Sequence, residues 1–395
     1  MATVPRTQPI RPKRNYLFLL LLLPLLGFAL IPTTSEHMRA ASLLLRIQNP
    51  DDRSWLARFH TYNISESPIQ NIATPNGIVR TRTYTPLGAT DPPGMVVIHG
   101  VHHLGIEEPR LIAFSRALCA SGIQVFTPEL PDIADYHISH SSVNTIGPAT
   151  KYFSRQIGKP VGILGLSFAG GEALLTAADP RYSPAIAFVV SIGAHDDLHR
   201  VADFFITGQI AKPDGTIATL KPHEYGPLVL VYSHLDEFFP KADVEPAQKT
   251  LRLFLWERVD DSKRAAAAMS EPSREIMEHV YEHDDSQFYP ALKTAINRHE
   301  REMDEVSPHG HMENLHVPVL LLHGATDDVI PSTEMLWLEK DVPHDYLREA
   351  LITPLLSHVS VAGEPPLRDK VALVHFMAVL FELADHSRAK IEAAN

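Results

Sequence analysis

The heptapeptide Gly165-Leu166-Ser167-Phe168-Ala169-Gly170-Gly171 leaves the chain few ways to fold around it. It follows the short apolar run Val161 to Leu164 and opens the apolar stretch Ala173 to Ala178, so it predicts a strand, a sharp turn and a helix. Small residues around Ser167 let strand and helix approach closely, and a turn of that kind holds its serine hydroxyl out at the tip. Ala169 stands where a further glycine is commoner, and its methyl group fits if helix and strand sit slightly further apart. The bland role for Ser167 is to cap the helix that follows.

Two further segments supply what a serine nucleophile needs. The apolar strand Val317 to Leu322 runs into His323-Gly324-Ala325-Thr326-Asp327-Asp328-Val329-Ile330-Pro331, and Leu351-Ile352 precedes Leu355-Leu356-Ser357-His358-Val359. Ser167, Asp327 and His358 therefore occur in the chain order serine, acid, histidine, the last two each where a strand gives way to a loop. Asp328, and Asp196 and Asp197 after the apolar run Ala185 to Ile192, compete for the role of the acid. The spacing from His323-Gly324 to Ile330-Pro331 favours Asp327.

On these motifs the chain resembles the α/β-hydrolase superfamily, over about residues 76 to 386. The resemblance implies a mostly parallel sheet flanked by helices and a serine attack assisted by histidine. His358 would take the hydroxyl proton, and Asp327 would hold the imidazole in the right tautomer. It also implies an oxyanion hole. The strand Met95 to Ile98 runs into His99-Gly100-Val101-His102-His103, where the backbone N–H of Val101, or of His102, would act with that of Phe168.

Strands alternating with helices from Gly77 to Ile192 agree with a parallel sheet covered on both faces. The alternation stops between Asp197 and His316, where helical spacing dominates, as in Leu228, Val231, Tyr232 and Leu235. A helical insertion after the sixth core strand resembles the cap of capped hydrolases. The expected organisation is residues 1–32 as basic stretch and membrane anchor or signal, 33–75 as linker or decoration with a helix near Asp51 to Phe59, 76–196 and 316–395 as hydrolase core, and 197–315 as cap. The cap aromatics, among them Phe204, Tyr225, Phe254 and Trp256, are read mainly as core, with some lining an apolar acyl pocket.

Composition narrows the partners. A formal charge of −12 argues against a nucleic-acid surface. None of the histidine groups, His99/His102/His103, His195/His199 or His309/His311, has a recognised zinc spacing, and Gly162/Gly165 do not form a nucleotide loop, so no metal or cofactor is expected. Cys119, the only cysteine, falls in an apolar helix and reads as a buried thiol. Asn63-Ile64-Ser65 is a formal glycosylation sequon. Arg6, Arg11, Lys13 and Arg14 precede the uncharged run Tyr16 to Ile31, which predicts a membrane anchor or export signal with the catalytic domain outside the cytoplasm. The function expected is a serine hydrolase that cleaves an ester or related acyl bond of a small apolar substrate through an acyl-serine. An acyltransferase with the same triad, or a hydrolase-fold binding protein, is the alternative.

Overall fold

The computed structural model describes residues 32–284, 286–356 and 366–392. His358 and the run Tyr16 to Ile31 lie outside them. The first half of the chain comprises α1 (Pro32–Gln48), β1 (Asn63–Glu66), β2 (Gln70–Thr74), β3 (Gly77–Leu87), β4 (Gly94–Ile98), α2 (Pro109–Ala120), β5 (Gln124–Pro128), α3 (Pro131–Ala134), α4 (Val143–Ile157), β6 (Val161–Leu166), α5 (Phe168–Ala178) and β7 (Ile186–Ile192). After β7 come α6 (Leu198–Thr207), the hairpin β8 (Gln209–Ala211) and β9 (Ile217–Thr219), α7 (Tyr225–Ser233), α8 (Val244–Leu255), α9 (Val259–Ala266), α10 (Glu271–Tyr281), α11 (Tyr289–Arg298) and α12 (Glu300–Asp304). The sheet then resumes with β10 (Val319–Gly324), α13 (Thr333–Asp341), β11 (Leu347–Thr353) and α14 (Leu367–Glu392).

Among the described residues the main sheet has nine strands in the order β1-β3-β5-β4-β6-β7-β10-β11, with β2 also paired to β3. Pairings from β5 through β4, β6, β7 and β10 to β11 are parallel, and those of β1, β2 and β5 with β3 are antiparallel. Central strands covered on both faces must be apolar throughout, and every residue of β4 and β10 is buried. Alternation along β4 sends Val96 and Ile98 toward α4 and α5, and Met95 and Val97 toward α2 and α14. The mixed, mostly parallel sheet expected from the sequence is the one observed.

Two expectations are corrected. Among the described residues no helix is long and apolar enough to cross a membrane, which runs against the anchor read from residues 16–31, and the membrane-anchored placement is withdrawn. The segment 33–75, expected as linker or decoration, packs on the sheet, and the helix expected near Asp51 to Phe59 is not there. Its helix is α1, while Asp51 to Phe59 forms turns. Within α1, Ala40, Leu43, Leu44 and Ile47 share one face, and Ala40 and Leu43 are fully buried against α14. Burying a leucine side chain contributes about 1.5–3 kcal/mol. Arg39 fixes the docking angle: its Nε donates to the carbonyl of Ser121 (2.7 Å), it pairs with Asp385 (2.9 Å), and its guanidinium lies 4.1 Å from the centroid of the Phe381 ring. β1 and β2 then extend the sheet beside β3.

The turn between β6 and α5 depends on Gly165. A Cβ there would lie 2.4 Å from the Ala169 carbonyl oxygen and 2.7 Å from the Gly170 Cα, both backbone atoms of the next helix. Gly165→Ala is therefore expected to destabilise the fold by about 1–3 kcal/mol, the usual cost of overpacking, or to force the turn open; chemical denaturation measures the loss.

Candidate active site

Ser167 sits at the top of β6 with φ 58° and ψ −137°, a conformation that residues with a Cβ seldom adopt. Two hydrogen bonds hold it there: its N–H donates to the Ile192 carbonyl (2.8 Å), and its carbonyl accepts from the Gly170 N–H (2.8 Å). Its side chain makes no capping bond to α5, so the bland role of helix cap is not the one observed. Phe168 is the first residue of α5, and its N–H is one of the donors that a helix leaves without an internal partner.

The loop after β4 comes against this turn. A Cβ on Gly100 would lie 3.3 Å from the Ser167 Cβ, so the two backbones are in near contact. His99 fixes the loop from behind. Its Nδ1 lies 2.8 Å from the Gly100 carbonyl and donates to it, while its Nε2 accepts from the Leu130 N–H (2.9 Å). Burial drives this imidazole down to about 4, so it stays neutral and keeps both bonds. His99 is structural, and the metal reading of His99, His102 and His103 loses its innermost member.

Ser167, Gly100, Val101, Gly193, Tyr225 and Asp327 line one cavity of about 480 Å³ at the carboxyl ends of the strands. Asp327 is buried in the loop after β10, and its Oδ1 accepts from the N–H groups of Val329 and Ile330 (3.0 Å each). His323, buried beneath it, bonds the Ile330 carbonyl through Nε2 (2.8 Å) and lies 3.6 Å from the Asp327 Oδ2. The competing acid Asp196 does not line this cavity. It is fully buried and engaged by Arg200 (2.8 Å). Asp328 does not line the cavity either, and its backbone carbonyl accepts from the His223 N–H (2.8 Å). His358, the third candidate, lies outside the described residues.

Arg200 holds the start of the segment inserted after β7. It pairs with Asp196, with Asp197 (3.4 Å) and with Glu334 (2.6 Å), and stacks over Trp337 at 4.5 Å. Glu334 also accepts from the N–H groups of Asp196 and Asp197 (3.0 Å each). The end of the same segment returns to this point: the His309 N–H donates to the Asp196 carbonyl (2.9 Å), and the Ser307 hydroxyl accepts from the Leu198 N–H (2.9 Å). Burial, then Glu334 and Asp341, push the Asp196 carboxyl up to about 7.

Two side-chain groups among the described residues bring metal-type donors together, Asp196/His309/Asp341 and His234/His299/Glu302. In each, an imidazole already bonds a carboxylate, His309 to Asp341 (2.6 Å) and His299 to Glu237 (2.7 Å), and neither group includes a residue of the Ser167 cavity.

A second cavity of about 510 Å³ adjoins the first, sharing Val101, His102, Arg110 and Tyr225 with it. It opens between the loop after β4 and the inserted helices, with Phe254, Leu255 and Val280 in its wall and Glu224, Glu257 and His283 around it. Of the aromatics read from the sequence, Tyr225 and Phe254 face these cavities. Phe204, Phe205, Tyr232, Phe239 and Phe288 are buried in the core of the insert. Sequence reasoning missed α1, whose Leu44 and Ile47 line the Ser167 cavity; the 40/43/44/47 spacing was the available signal.

No protein-family model and no curated protein sequence matches the chain. Solved structures with a similar fold include 2,6-dihydroxy-pseudo-oxynicotine hydrolase (14% identity, 81% of this chain and 67% of that one, TM-score 0.43). Puromycin hydrolase is 13% identical over 86% of this chain, with a TM-score of 0.47, and the overlap spans only 41% of its length. Brefeldin A esterase, described as a bacterial homologue of human hormone-sensitive lipase, is 14% identical over 91% of this chain and 85% of its own, with a TM-score of 0.44. At such identities the likeness is one of fold.

Proposed function

We propose that this chain, whose mostly parallel sheet presents Ser167 at a strand-to-helix turn, is a serine hydrolase acting on an ester or related acyl bond, with Ser167 as nucleophile, His358 as general base and Asp327 as the acid that orients it. The observation that carries the reading is the strained Ser167 turn in one cavity with Asp327, against a glycine loop held by neutral His99. In the proposed reaction Ser167 Oγ attacks the carbonyl carbon while His358 accepts its proton. The resulting oxyanion receives the N–H groups of Val101 and Phe168. As the intermediate collapses, the leaving oxygen or nitrogen takes the proton from His358, and water repeats the sequence to release the acid.

The inserted segment, in this reading the cap over residues 197–315, places the second cavity beside the oxyanion loop, where it suits a leaving group larger than methanol. A small-molecule acyl substrate fits two adjoining cavities of this size, since ligand pockets commonly measure ~300–1,000 Å³.

The test is labelling with a fluorophosphonate and mapping of the adduct by mass spectrometry. An adduct on Ser167 that disappears in Ser167→Ala, and forms at least a hundredfold more slowly in His358→Ala, is expected. Labelling that persists in Ser167→Ala, or a folded protein that never labels, would overturn the assignment.

A further inference from the structure

The Ser167 cavity has two chemically distinct ends. Toward the inserted helices, where it meets the second cavity, it carries His102, Arg110 and Tyr225. Apart from Glu108 and Arg110 at the start of α2, the described side chains that line it from the helices are apolar: Leu44 and Ile47 of α1, Leu111 and Phe114 of α2, and Leu373 and Met377 of α14. Ile47 is 38% exposed, a large apolar surface left open at the rim of this end. The strand ends add Leu166, Ile192 and Leu322, and the segment after β11 adds Leu356. An apolar wall that runs continuously into a nucleophile has one natural occupant, the part of the substrate that the nucleophile holds.

We propose that this groove between α1, α2 and α14 is the acyl-chain site, and that the preferred substrates carry an unbranched acyl chain of medium length. The inference rests on the serine hydrolase reading. It assigns the two ends opposite parts of the substrate: the acyl chain lies along α1, and the alcohol or amine leaving group enters the polar-rimmed chamber beside Tyr225 and Arg110. The arrangement gives α1 a direct part in selectivity. It supplies two of the wall residues, so chain-length preference is set partly by a helix outside the alternating strands and helices of the core.

Each methylene that leaves water on binding raises kcat/KM about fourfold until the groove is filled. The experiment compares p-nitrophenyl esters from acetate to dodecanoate on wild-type protein and on Leu44→Trp and Ile47→Trp, with thermal unfolding as the control for folding. The expected result is an optimum beyond butyrate in the wild type, displaced to shorter chains in both variants, with the ratio of octanoate to acetate kcat/KM down at least tenfold. An optimum unmoved by either substitution, or moved instead by Phe254→Trp in the neighbouring chamber, would overturn the assignment. Titration of Ser167→Ala with dansyl-undecanoate, followed by fluorescence, separates this idea from the hydrolase reading. Binding weakened at least tenfold by an added Ile47→Asp supports the groove even where no fluorophosphonate adduct forms, and binding indifferent to Ile47→Asp sinks it.

Discussion

Replacement of Ser167 by alanine and by glycine should abolish turnover alike yet separate in stability. Loss of a triad serine lowers kcat by up to about 10⁶. The stability difference comes from the backbone. At φ 58° and ψ −137° a Cβ is strained, at a cost of order 1–3 kcal/mol, and alanine keeps that Cβ while glycine removes it. Against the gain stands the extra freedom of glycine in the unfolded chain, about 0.5–1 kcal/mol. Ser167→Gly is therefore expected to be more stable than Ser167→Ala by about 1 kcal/mol, measured by denaturant unfolding, with both inactive against any ester the wild type hydrolyses. Equal stabilities would mean that the turn relaxes, and retained activity would mean another nucleophile.

The second large effect falls at Arg200. Asp196, Asp197 and Glu334 share this one guanidinium, and Asp196 and Glu334 are essentially buried. Removing one partner of a buried ion pair leaves uncompensated charge and typically costs 3–5 kcal/mol. Arg200→Met keeps much of the apolar packing against Trp337 and should lose about that much stability, with the inserted helices separating first in hydrogen exchange. The loss should be smaller at pH 5 than at pH 8. The Asp196 carboxyl titrates at about 7 in the folded state and well below that when unfolded, so its protonation favours the fold. The stability that it contributes is fully present below the unfolded value and disappears as pH rises through 7. Asp196→Asn removes that slope. A wild-type unfolding free energy that ignores pH between 4 and 8, with the same flat profile in Asp196→Asn, would discard this account.

What was legible in the sequence followed from how strictly the backbone constrains residue type. The β6 to α5 turn needs Gly165 for lack of space and small residues behind it, so it could be read without any structure. The strands β4, β6, β7 and β10 announced themselves as unbroken apolar runs because both faces are covered. The choice of Asp327 over Asp196 rested on loop spacing alone. Both follow an apolar strand, and only the spatial course of the loops sends Asp327 to Ser167 and Asp196 to Arg200. The helix α1 was missed for a related reason: its apolar face is short and flanked by charge, and its partners on α14 lie more than three hundred residues away. The hairpin β8–β9 was also unforeseen. Its strands are three residues each, too short for alternation to register, and the Trp337 indole N–H reaches the Ala211 carbonyl (3.0 Å) from outside the insert.

Cys119 lies fully buried in α2, and burial pushes its thiol up to about 12. At neutral pH it is protonated and shielded from reagents, so the native chain is silent toward maleimides and spin labels. Any cysteine added at the surface becomes a lone chemical handle without further engineering. A pair placed in the turn between α8 and α9, at Glu257, and in the turn after β3, at Gly88, would carry a donor and an acceptor whose separation records every excursion of one part against the other. The distance distribution, taken with and without a covalent Ser167 adduct, would turn a question about enzyme opening into a direct length measurement.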